Sequence, residues 1–435
     1  MNRKFEAAMD GLVDRGGPGV AVAVHHGDQA PYLAGFGLAD VEWGTAITPD
    51  TVFRIGSVTK QFTAAAIMLL VEERKLALDD TIQSVLSDYP APERRVTIRH
   101  LLNHTSGIPN FNTLPSFPER TDLTLSEVIE LFKNLAPDFA PGDRYVYSNS
   151  GYVLLGAVIE ALSGTAYRTF LLERFFRPLG MRQTRYLYDE PIVAKRARGY
   201  SAGAKGIQNT PMMSMTLPHA AGGLGSTVVD LVTWGQALRS GRVVSTQSYA
   251  AMIEPTRLND GSLSEYGFGL LGLRFRDRIA ITHLGGINGF AAIMTHFQED
   301  DLTVVVLSNL DAFPVERAHL ALARRALDLP DLVARPRISG TAEEVARCAG
   351  SYQSQLVPWY APWMFVADDG LLTAPFPTPN SRFEPFTPTE FQCVDDPEIT
   401  LRFDQPGAGG YDRVTYEGPM RWPWQASIGT RVASS

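Results

Sequence analysis

Residues 56–71 read GSVTKQFTAAAIMLLV and carry both the strongest helix pattern and the first chemical signal of the chain. The run 62–71 is apolar on almost every side, which predicts a buried helix from Ser57 to about Arg74. Ser57 and Lys60 are three residues apart, so their side chains share one face of such a helix. A serine hydroxyl needs a base to become a nucleophile, and a desolvated lysine can supply one. By itself, a Ser-x-x-Lys match is expected about once by chance in a chain of this length.

Strand patterns lie on both sides of this helix. The runs 20–24 and 31–37 predict a β-hairpin, and strand character returns over residues 279–310. Between them the pattern is largely helical, with helices predicted at 126–134, 149–162 and 229–238. One sheet built from both ends of a domain, with helices on both faces, accounts for this order. The fold class is therefore α/β, of the α+β kind.

The composition excludes several classes of protein. The 435 residues carry 39 Lys and Arg against 47 Asp and Glu, a formal net charge of −8, whereas nucleic-acid binding needs clustered cations. The longest apolar stretch, 64–71, is far shorter than a membrane span of about 20 residues, and residues 1–6 lead into no secretory signal. We therefore expect a cytoplasmic protein with about two or three domains and no nucleic-acid or membrane partner.

A second domain is predicted where the composition changes, after about residue 328. Residues 331–345 predict a linker with a short helix at its end, and residues 346–435, rich in aromatics, prolines and short alternating runs, predict an all-β unit. Residues 1–330 then form the first domain. Cys348 and Cys393 are too few for a disulfide framework; reduced thiols are expected, although one bridge is left open.

Tyr147-Ser148-Asn149 is a second chemical signal, placed after a Pro-Gly-Asp turn and before an apolar helix. Tyr147 can exchange a proton with a leaving group, and the Asn149 amide can hold both Lys60 and a substrate carbonyl. The alternative is a loop tyrosine followed by a helix-capping asparagine. Taken alone, the segment favours that structural interpretation.

His283-Leu284-Gly285-Gly286 is a third signal, at the end of a predicted strand. Gly285 and Gly286 would let a substrate approach the strand edge closely. The alternative is a strand that ends in a glycine turn, with His283 merely at the surface. The isolated segment again favours the structural interpretation.

Together, the three segments resemble, in order and spacing, the penicillin-recognising serine hydrolases. That family includes class C β-lactamases, D-Ala-D-Ala carboxypeptidases, D-aminopeptidases and some esterases. The resemblance covers roughly residues 8–325 and extends to further segments: HLLNHTSG at 100–107, PG at 141–142, GGLGST at 222–227 and YGFGL at 266–270. It implies an antiparallel sheet flanked by helices, an all-helical subdomain, and a small antiparallel β-barrel after the catalytic domain.

The resemblance also implies roles for individual residues. Ser57 would form the acyl-enzyme and Lys60 would activate it, while Tyr147 and His283 would complete the catalytic group. Asn149, Gly285 and Gly286 would bind substrate, with the N–H groups of Ser57 and Gly286 as the oxyanion hole. No metal and no organic cofactor is implied.

Two departures from the family pattern bear on the substrate. His283 stands where most relatives have lysine, and Leu284 stands where carboxylate-binding relatives usually have a threonine hydroxyl. Leucine cannot donate that hydrogen bond, so a free carboxylate near the scissile bond is disfavoured. The favoured substrate is a small D-amino-acid peptide, amide or ester. Whether copies of the chain associate with one another is left open.

The sequence also leaves alternatives for the function and for the part that the second domain plays in it. The alternatives are a carboxylesterase, a weak β-lactamase or DD-peptidase, and a catalytically silent binder of peptidoglycan fragments. The resemblance is to a shortened D-aminopeptidase with one barrel. A loop near residues 359–363 or at Asp395-Asp396 could supply an anion for a substrate ammonium.

Some motifs are rejected as functional. The Gly-x-Gly-x-x-Gly match at 267–272 precedes a strand-like run, not a helix, which argues against a dinucleotide site. His100 and His104 have Leu101 where a zinc-protease helix has glutamate, so a structural role is favoured. His25 and His26 are interpreted as a solvated hairpin end. No Gly-x-Ser-x-Gly elbow occurs, which argues against an α/β-hydrolase.

Overall fold

The chain divides into two compact units in the computed structural model. Unit 1 comprises Met1–Gly272 and Ala280–Leu327, and unit 2 comprises Leu273–Ile279 and Asp328–Ser435. The structure describes the following residues: 2–90, 95–203, 206–211, 213–330, 333–338, 342–354, 363–374, 381–407, 409–418 and 428–432.

The helices form where apolar periodicity and capping residues coincide. Helix α2 is buried along nearly its whole length, as its apolar composition predicts, and α6 ends at Ser163 and is capped by Gly164, which has φ +70°. Helix α5 is shorter than predicted: it begins at Leu125, after the N-cap Thr124, whose side chain accepts from the Glu127 N–H, and it ends at Glu130. The helices are α1 (Asn2–Met9), α2 (Thr59–Glu72), α3 (Ile82–Val85), α4 (Ile98–Leu102), α5 (Leu125–Glu130), α6 (Asn149–Ser163), α7 (Tyr167–Leu171), α8 (Arg177–Leu179), α9 (His219–Gly222), α10 (Val228–Arg239), α11 (Thr246–Ile253), α12 (Val315–Ala326) and α13 (Ala342–Cys348).

The strands that precede helix α12 come from both ends of unit 1. They are β1 (Val20–His26), β2 (Tyr32–Phe36), β3 (Leu38–Asp40), β4 (Thr45–Ala46), β5 (Phe53–Arg54), β6 (Arg185–Tyr186), β7 (Tyr200–Gly203), β8 (Gly206–Asn209), β9 (Leu224–Ser226), β10 (Thr256–Arg257), β11 (Leu263–Ser264), β12 (Leu271–Phe275), β13 (Arg278–Ile287), β14 (Phe290–Phe297) and β15 (Leu302–Ser308). Between β5 and β6 the described residues contain helices and no named strand, which confirms the predicted helical subdomain.

The main sheet is antiparallel and joins the two ends of unit 1. Within the described residues its order is β12-β13-β14-β15-β1-β2. Val20 pairs with Ser308 and with Phe36, so β1 lies between the N-terminal hairpin partner and a late strand. Every residue of β15 is buried, because helices α10 and α12 pack on this strand. This arrangement confirms the predicted fold class.

The prediction for His25 was wrong. His25 is 5% exposed at the end of β1, and a ring nitrogen lies 3.1 Å from Gln236 Nε2 of helix α10. Burial lowers the pKa of this histidine. Strand β1 extends two residues beyond Val24, and the buried part of the strand includes His25, which packs under α10, while His26 is only partly buried.

Unit 2 contains the predicted β-barrel. Over the described part of this unit, eight strands close into an antiparallel barrel, and helix α13 packs on it. Cys348 and Cys393 are buried free thiols. The loop predicted near residue 359 lies outside the described residues. The strands are β16 (Gly350–Ser354), β17 (Trp363–Asp368), β18 (Leu371–Ala374), β19 (Ser381–Pro385), β20 (Glu390–Cys393), β21 (Thr400–Gly407), β22 (Gly410–Glu417) and β23 (Ile428–Arg431).

Candidate active site

Ser57 lies where the chain turns into helix α2. A 3₁₀ turn, Gly56–Val58, leads directly into the helix. Gly56 has φ +49°, and a Cβ there would lie 2.9 Å from the backbone nitrogen of Gly286, so this approach requires glycine. One turn on, Lys60 brings Nζ to 3.1 Å from Ser57 Oγ. The two side chains meet on one face, as their spacing predicts.

Lys60 is also held by distant parts of the chain. Its side chain is fully buried, and Nζ donates to Asn149 Oδ1 at 2.7 Å and to the Ala221 carbonyl at 2.8 Å. In the neutral form the amine has two hydrogens and a lone pair. When these hydrogens go to Asn149 and Ala221, the lone pair faces the Ser57 hydroxyl, which is the orientation that a base requires.

The surroundings of Lys60 disfavour its charged form. Burial holds the pKa of Lys60 well below its ordinary value. The ring centroids of Tyr147 and Tyr152 lie 4.6 Å and 5.3 Å from Nζ, and these rings attract a cation and so partly oppose the effect of burial. His104 and His283 also face Lys60; burial and, to a smaller extent, the charge of Lys60 lower the pKa of both. Burial thus favours the neutral form of all three groups.

Asn149 is the first residue of helix α6, and both ends of its amide are used. Its Oδ1 accepts from Lys60, and its Nδ2 donates to Asn112 Oδ1 at 3.1 Å. The backbone N–H of Asn149 donates to Asn110 Oδ1 at 3.0 Å. The loop that contains Asn110 and Asn112 therefore orients Asn149 toward the lysine.

His104 supports the Tyr147 segment, which agrees with the structural role that the sequence favours for it. It is buried at φ +60°, and its Nδ1 accepts from the backbone N–H of Ser148 at 3.2 Å. Its carbonyl accepts from the N–H of Val146 at 2.9 Å, and its ring centroid lies 4.3 Å from that of Tyr147. The sequence favours a structural role for His104 but contains no pattern that identifies the Tyr147 segment as its partner.

His283 lies on β13 with both ring nitrogens in contact with the protein. Nε2 is 2.9 Å from the Tyr266 hydroxyl, and Nδ1 is 2.5 Å from the Leu284 carbonyl. A carbonyl can only accept, so Nδ1 carries the hydrogen and Nε2 of the neutral ring accepts from Tyr266. Burial, with a smaller contribution from the Lys60 charge, lowers the pKa of His283 to about 3. His283 is therefore a neutral group, with its ring centroid 6.3 Å from that of Tyr147.

Gly285 and Gly286 let strand β13 approach the turn that contains Ser57. A Cβ on Gly285 would lie 2.0 Å from the Ile55 carbonyl oxygen, so any side chain there would push the strand away. Gly286 is exposed and lines the same cavity as Ser57. Two backbone segments thus converge on one cavity, an arrangement that can stabilise a developing negative oxygen.

The cavity at Ser57 has a volume of about 310 Å³ and contains a carboxylate that sequence reasoning missed. Glu119 lines it together with Ser57 and Asn149, and Glu119 Oε1 accepts from Asn288 Nδ2 at 2.7 Å. Leu284 is not among the described residues that line it. A larger cavity of about 840 Å³ lies in the helical subdomain and does not include Ser57.

The rejected motifs have structural roles. The Gly-x-Gly-x-x-Gly segment leads into strand β12, which argues against a dinucleotide loop. His100 caps helix α4, where its Nδ1 accepts from the Thr97 N–H at 3.2 Å. In the part of the chain that the structure describes, no cluster of three or more His, Cys, Asp or Glu side chains could hold a metal ion. Among those same residues, no helix is long and apolar enough to cross a membrane.

Comparison with known proteins identifies relatives of this chain. The family model described as Beta-lactamase matches residues 1–329. Penicillin-binding protein 4* of Bacillus subtilis (strain 168) is 30% identical over 365 residues, which cover 78% of this chain and 79% of that protein. The D-aminopeptidase of Gluconobacter oxydans (strain 621H) is 28% identical over 343 residues, which cover 75% of this chain and 62% of that enzyme.

A solved structure shows the same fold. The D-amino acid amidase from Ochrobactrum anthropi SV3, complexed with L-phenylalanine amide, superposes with a TM-score of 0.68 at 29% sequence identity. The alignment covers 75% of this chain and 98% of the amidase.

Proposed function

Because this chain belongs to the beta-lactamase family, we propose that it is a serine hydrolase that forms an acyl-enzyme on Ser57. Its proposed substrates are small D-amino-acid peptides, amides or esters. The relatives named D-aminopeptidase and D-amino acid amidase support this substrate class. The observation that carries the proposal is the contact of Lys60 with Ser57 Oγ, Asn149 Oδ1 and the Ala221 carbonyl.

The proposed reaction has two steps on one serine. Lys60 takes the Ser57 proton as Oγ attacks the substrate carbonyl carbon, and the N–H groups of Ser57 and Gly286 stabilise the resulting oxyanion. The proton then passes to the leaving amine or alcohol, and the acyl group remains on Ser57. Water attacks this ester with the same base, which releases the D-amino acid and restores the serine.

Tyr147 is proposed to share the proton transfers, because its ring lies beside the Lys60 amine. Asn149 orients Lys60 and would bind the substrate carbonyl. His283 is proposed to support Tyr147 as a neutral group, since Tyr266 and the Leu284 carbonyl occupy its nitrogens. A neutral His283 lacks the charge that a lysine would bring at this position. This weakens the binding of a substrate carboxylate, in addition to the hydroxyl that is missing at Leu284.

Glu119 supports an amine-bearing substrate. It places a carboxylate in the cavity that contains Ser57, and Asn288 holds one of its oxygens. A carboxylate attracts the free α-ammonium of an aminoacyl substrate and repels a substrate carboxylate. Glu119 is a firmer basis for this preference than Leu284, because it lines the cavity directly.

Glu119→Gln should reduce kcat/KM for D-alanine p-nitroanilide by about tenfold to a hundredfold, because a hydrogen bond between charged groups contributes about 1.5 to 3 kcal/mol. Activity on the N-acetylated anilide should change little, because that substrate has no ammonium. The measurement is kcat/KM on both anilides, with Glu173→Gln, an exposed carboxylate, as the matched control. Equal losses on both anilides would contradict ammonium binding at Glu119.

A substrate panel tests the proposed function as a whole. Purified wild-type protein is assayed with D- and L-aminoacyl p-nitroanilides, p-nitrophenyl esters and nitrocefin. Preference for the D-aminoacyl anilides supports the proposal, whereas high activity on simple esters alone indicates a carboxylesterase. Preference for nitrocefin indicates a β-lactamase. Absence of turnover on the whole panel, with binding of peptidoglycan fragments, indicates the silent binder.

A further inference from the structure

A histidine–carboxylate pair joins helix α6 to helix α9, which contains the Ala221 carbonyl that contacts the candidate catalytic lysine. His219 opens helix α9, and its Nε2 lies 3.6 Å from Glu160 Oε1 of helix α6. The His219 side chain is 11% exposed, and that of Glu160 is 31% exposed. Glu160 Oε1 also accepts from the backbone N–H of Tyr167 at 2.7 Å. This carboxylate therefore links α6, α7 and α9.

The backbone at His219 is strained and closely enclosed. His219 has φ +36°, a backbone conformation that residues other than glycine rarely adopt. A Cβ on Gly156 of helix α6 would lie 2.5 Å from His219 Nδ1, so α6 has a glycine where the imidazole ring passes. The surrounding structure must hold such a conformation in place, and this strain points to a function for the residue.

The two residues after His219 present their carbonyls to helix α2. The Ala221 carbonyl accepts from Lys60 Nζ, and the Ala220 carbonyl accepts from Thr63 Oγ1 at 2.7 Å. Thr63 has a single hydroxyl hydrogen, so the Tyr167 hydroxyl, 2.6 Å away, donates to it. The strained turn at His219 thus sets the direction of a carbonyl that contacts the lysine.

We propose that His219 is a positioning residue for Lys60: paired with Glu160, it fixes the Ala221 carbonyl against the lysine amine. The inference rests on the proposed function, in which Lys60 is the base that activates Ser57. His219 contacts neither the cavity at Ser57 nor the reacting atoms among the described residues. It acts through the backbone of helix α9.

The direction of the effect on Lys60 follows from hydrogen bonding. A carbonyl acceptor stabilises the charged ammonium more than the neutral amine, so displacing the Ala221 carbonyl should lower the pKa of Lys60 further. The other groups that face Lys60 are Tyr147, Tyr152, His104 and His283, and none is altered by a change at Glu160. Around His219 the facing groups are Glu160, Tyr167 and Tyr186. Activity lost by protonation of Lys60 should therefore be lost at lower pH.

The test compares wild-type protein with Glu160→Gln, His219→Gln and the double variant, and Glu173→Gln is the control. kcat and KM for D-alanine p-nitroanilide are measured from pH 5 to 10, and folding is checked by circular dichroism. We expect kcat to fall about tenfold with KM within about twofold, because misplacement of a catalytic group affects the chemical step. The acid limb should move down by about half a pH unit or more. The fall in kcat of the double variant should be no greater than the larger fall of the two single variants, because the two residues act as one pair.

Other outcomes overturn the inference. Folded variants with wild-type kcat and an unmoved acid limb would show that the pair does not position Lys60. A fall in kcat without movement of the acid limb would indicate a purely structural role. If His219→Gln does not fold, Glu160→Gln alone decides the test. Its glutamine oxygen can still accept from the Tyr167 N–H, so this variant should keep the fold. Failure of the proposed function is recognised separately, by retained activity in Lys60→Arg.

Discussion

Ser57→Ala abolishes turnover and leaves the fold intact, if the serine is the nucleophile. Removal of a nucleophile commonly costs three or more orders of magnitude in rate, so kcat/KM should fall at least about a thousandfold. Alanine leaves Lys60 its contacts with Asn149 and Ala221, so the melting temperature should change little. The measurement is kcat/KM on D-alanine p-nitroanilide, with the circular dichroism spectrum and the melting temperature.

Ser126→Ala is the matched control for this prediction, because Ser126 is an exposed serine on helix α5. Mass spectrometry of the protein treated with a fluorophosphonate should find the label on the peptide that contains Ser57. Retention of more than about a tenth of wild-type kcat/KM by Ser57→Ala, where a nucleophile should cost far more, refutes the assignment.

Lys60→Arg should reduce kcat/KM by about a thousandfold, because a guanidinium stays protonated and cannot accept the Ser57 proton. In the wild-type protein, burial lowers the pKa of Lys60, so the neutral amine persists to a lower pH than for an exposed lysine. Activity should therefore be high above this lowered pKa and fall as the pH drops through it. The measurement is the pH profile of kcat/KM for both proteins.

The control for the lysine is Lys195→Arg, since Lys195 is half exposed and pairs with Asp50 at 2.8 Å. Lys195→Arg should retain the wild-type profile. Near-normal activity in Lys60→Arg would rule out proton transfer by Lys60. If the activity of the wild-type protein did not fall at low pH, loss of activity through protonation of Lys60 would be contradicted.

Local patterns predicted much of the fold. The helix after Ser57 and the helix that begins at Asn149 have long apolar runs, and both form where the periodicity predicts. Helix α5 ends four residues early, and His25 is buried, because packing against other elements decides such details. A short periodic segment cannot encode what lies beside it.

The spacing of Ser57 and Lys60, and the Tyr-x-Asn and His-x-Gly segments, followed from the sequence alone. The resemblance of the three segments to a known family predicts their chemistry, and the structure brings a residue of each segment to one cavity. The tertiary structure alone decided the Ala221 contact with Lys60, 161 residues away, and the Glu119 contact with Asn288, 169 residues away. Every residue has a backbone carbonyl, and glutamates are common on surfaces, so neither contact leaves a pattern in the sequence. Only the packing of α9 on α2, and of the loop with Glu119 against the end of β13, makes them part of the site.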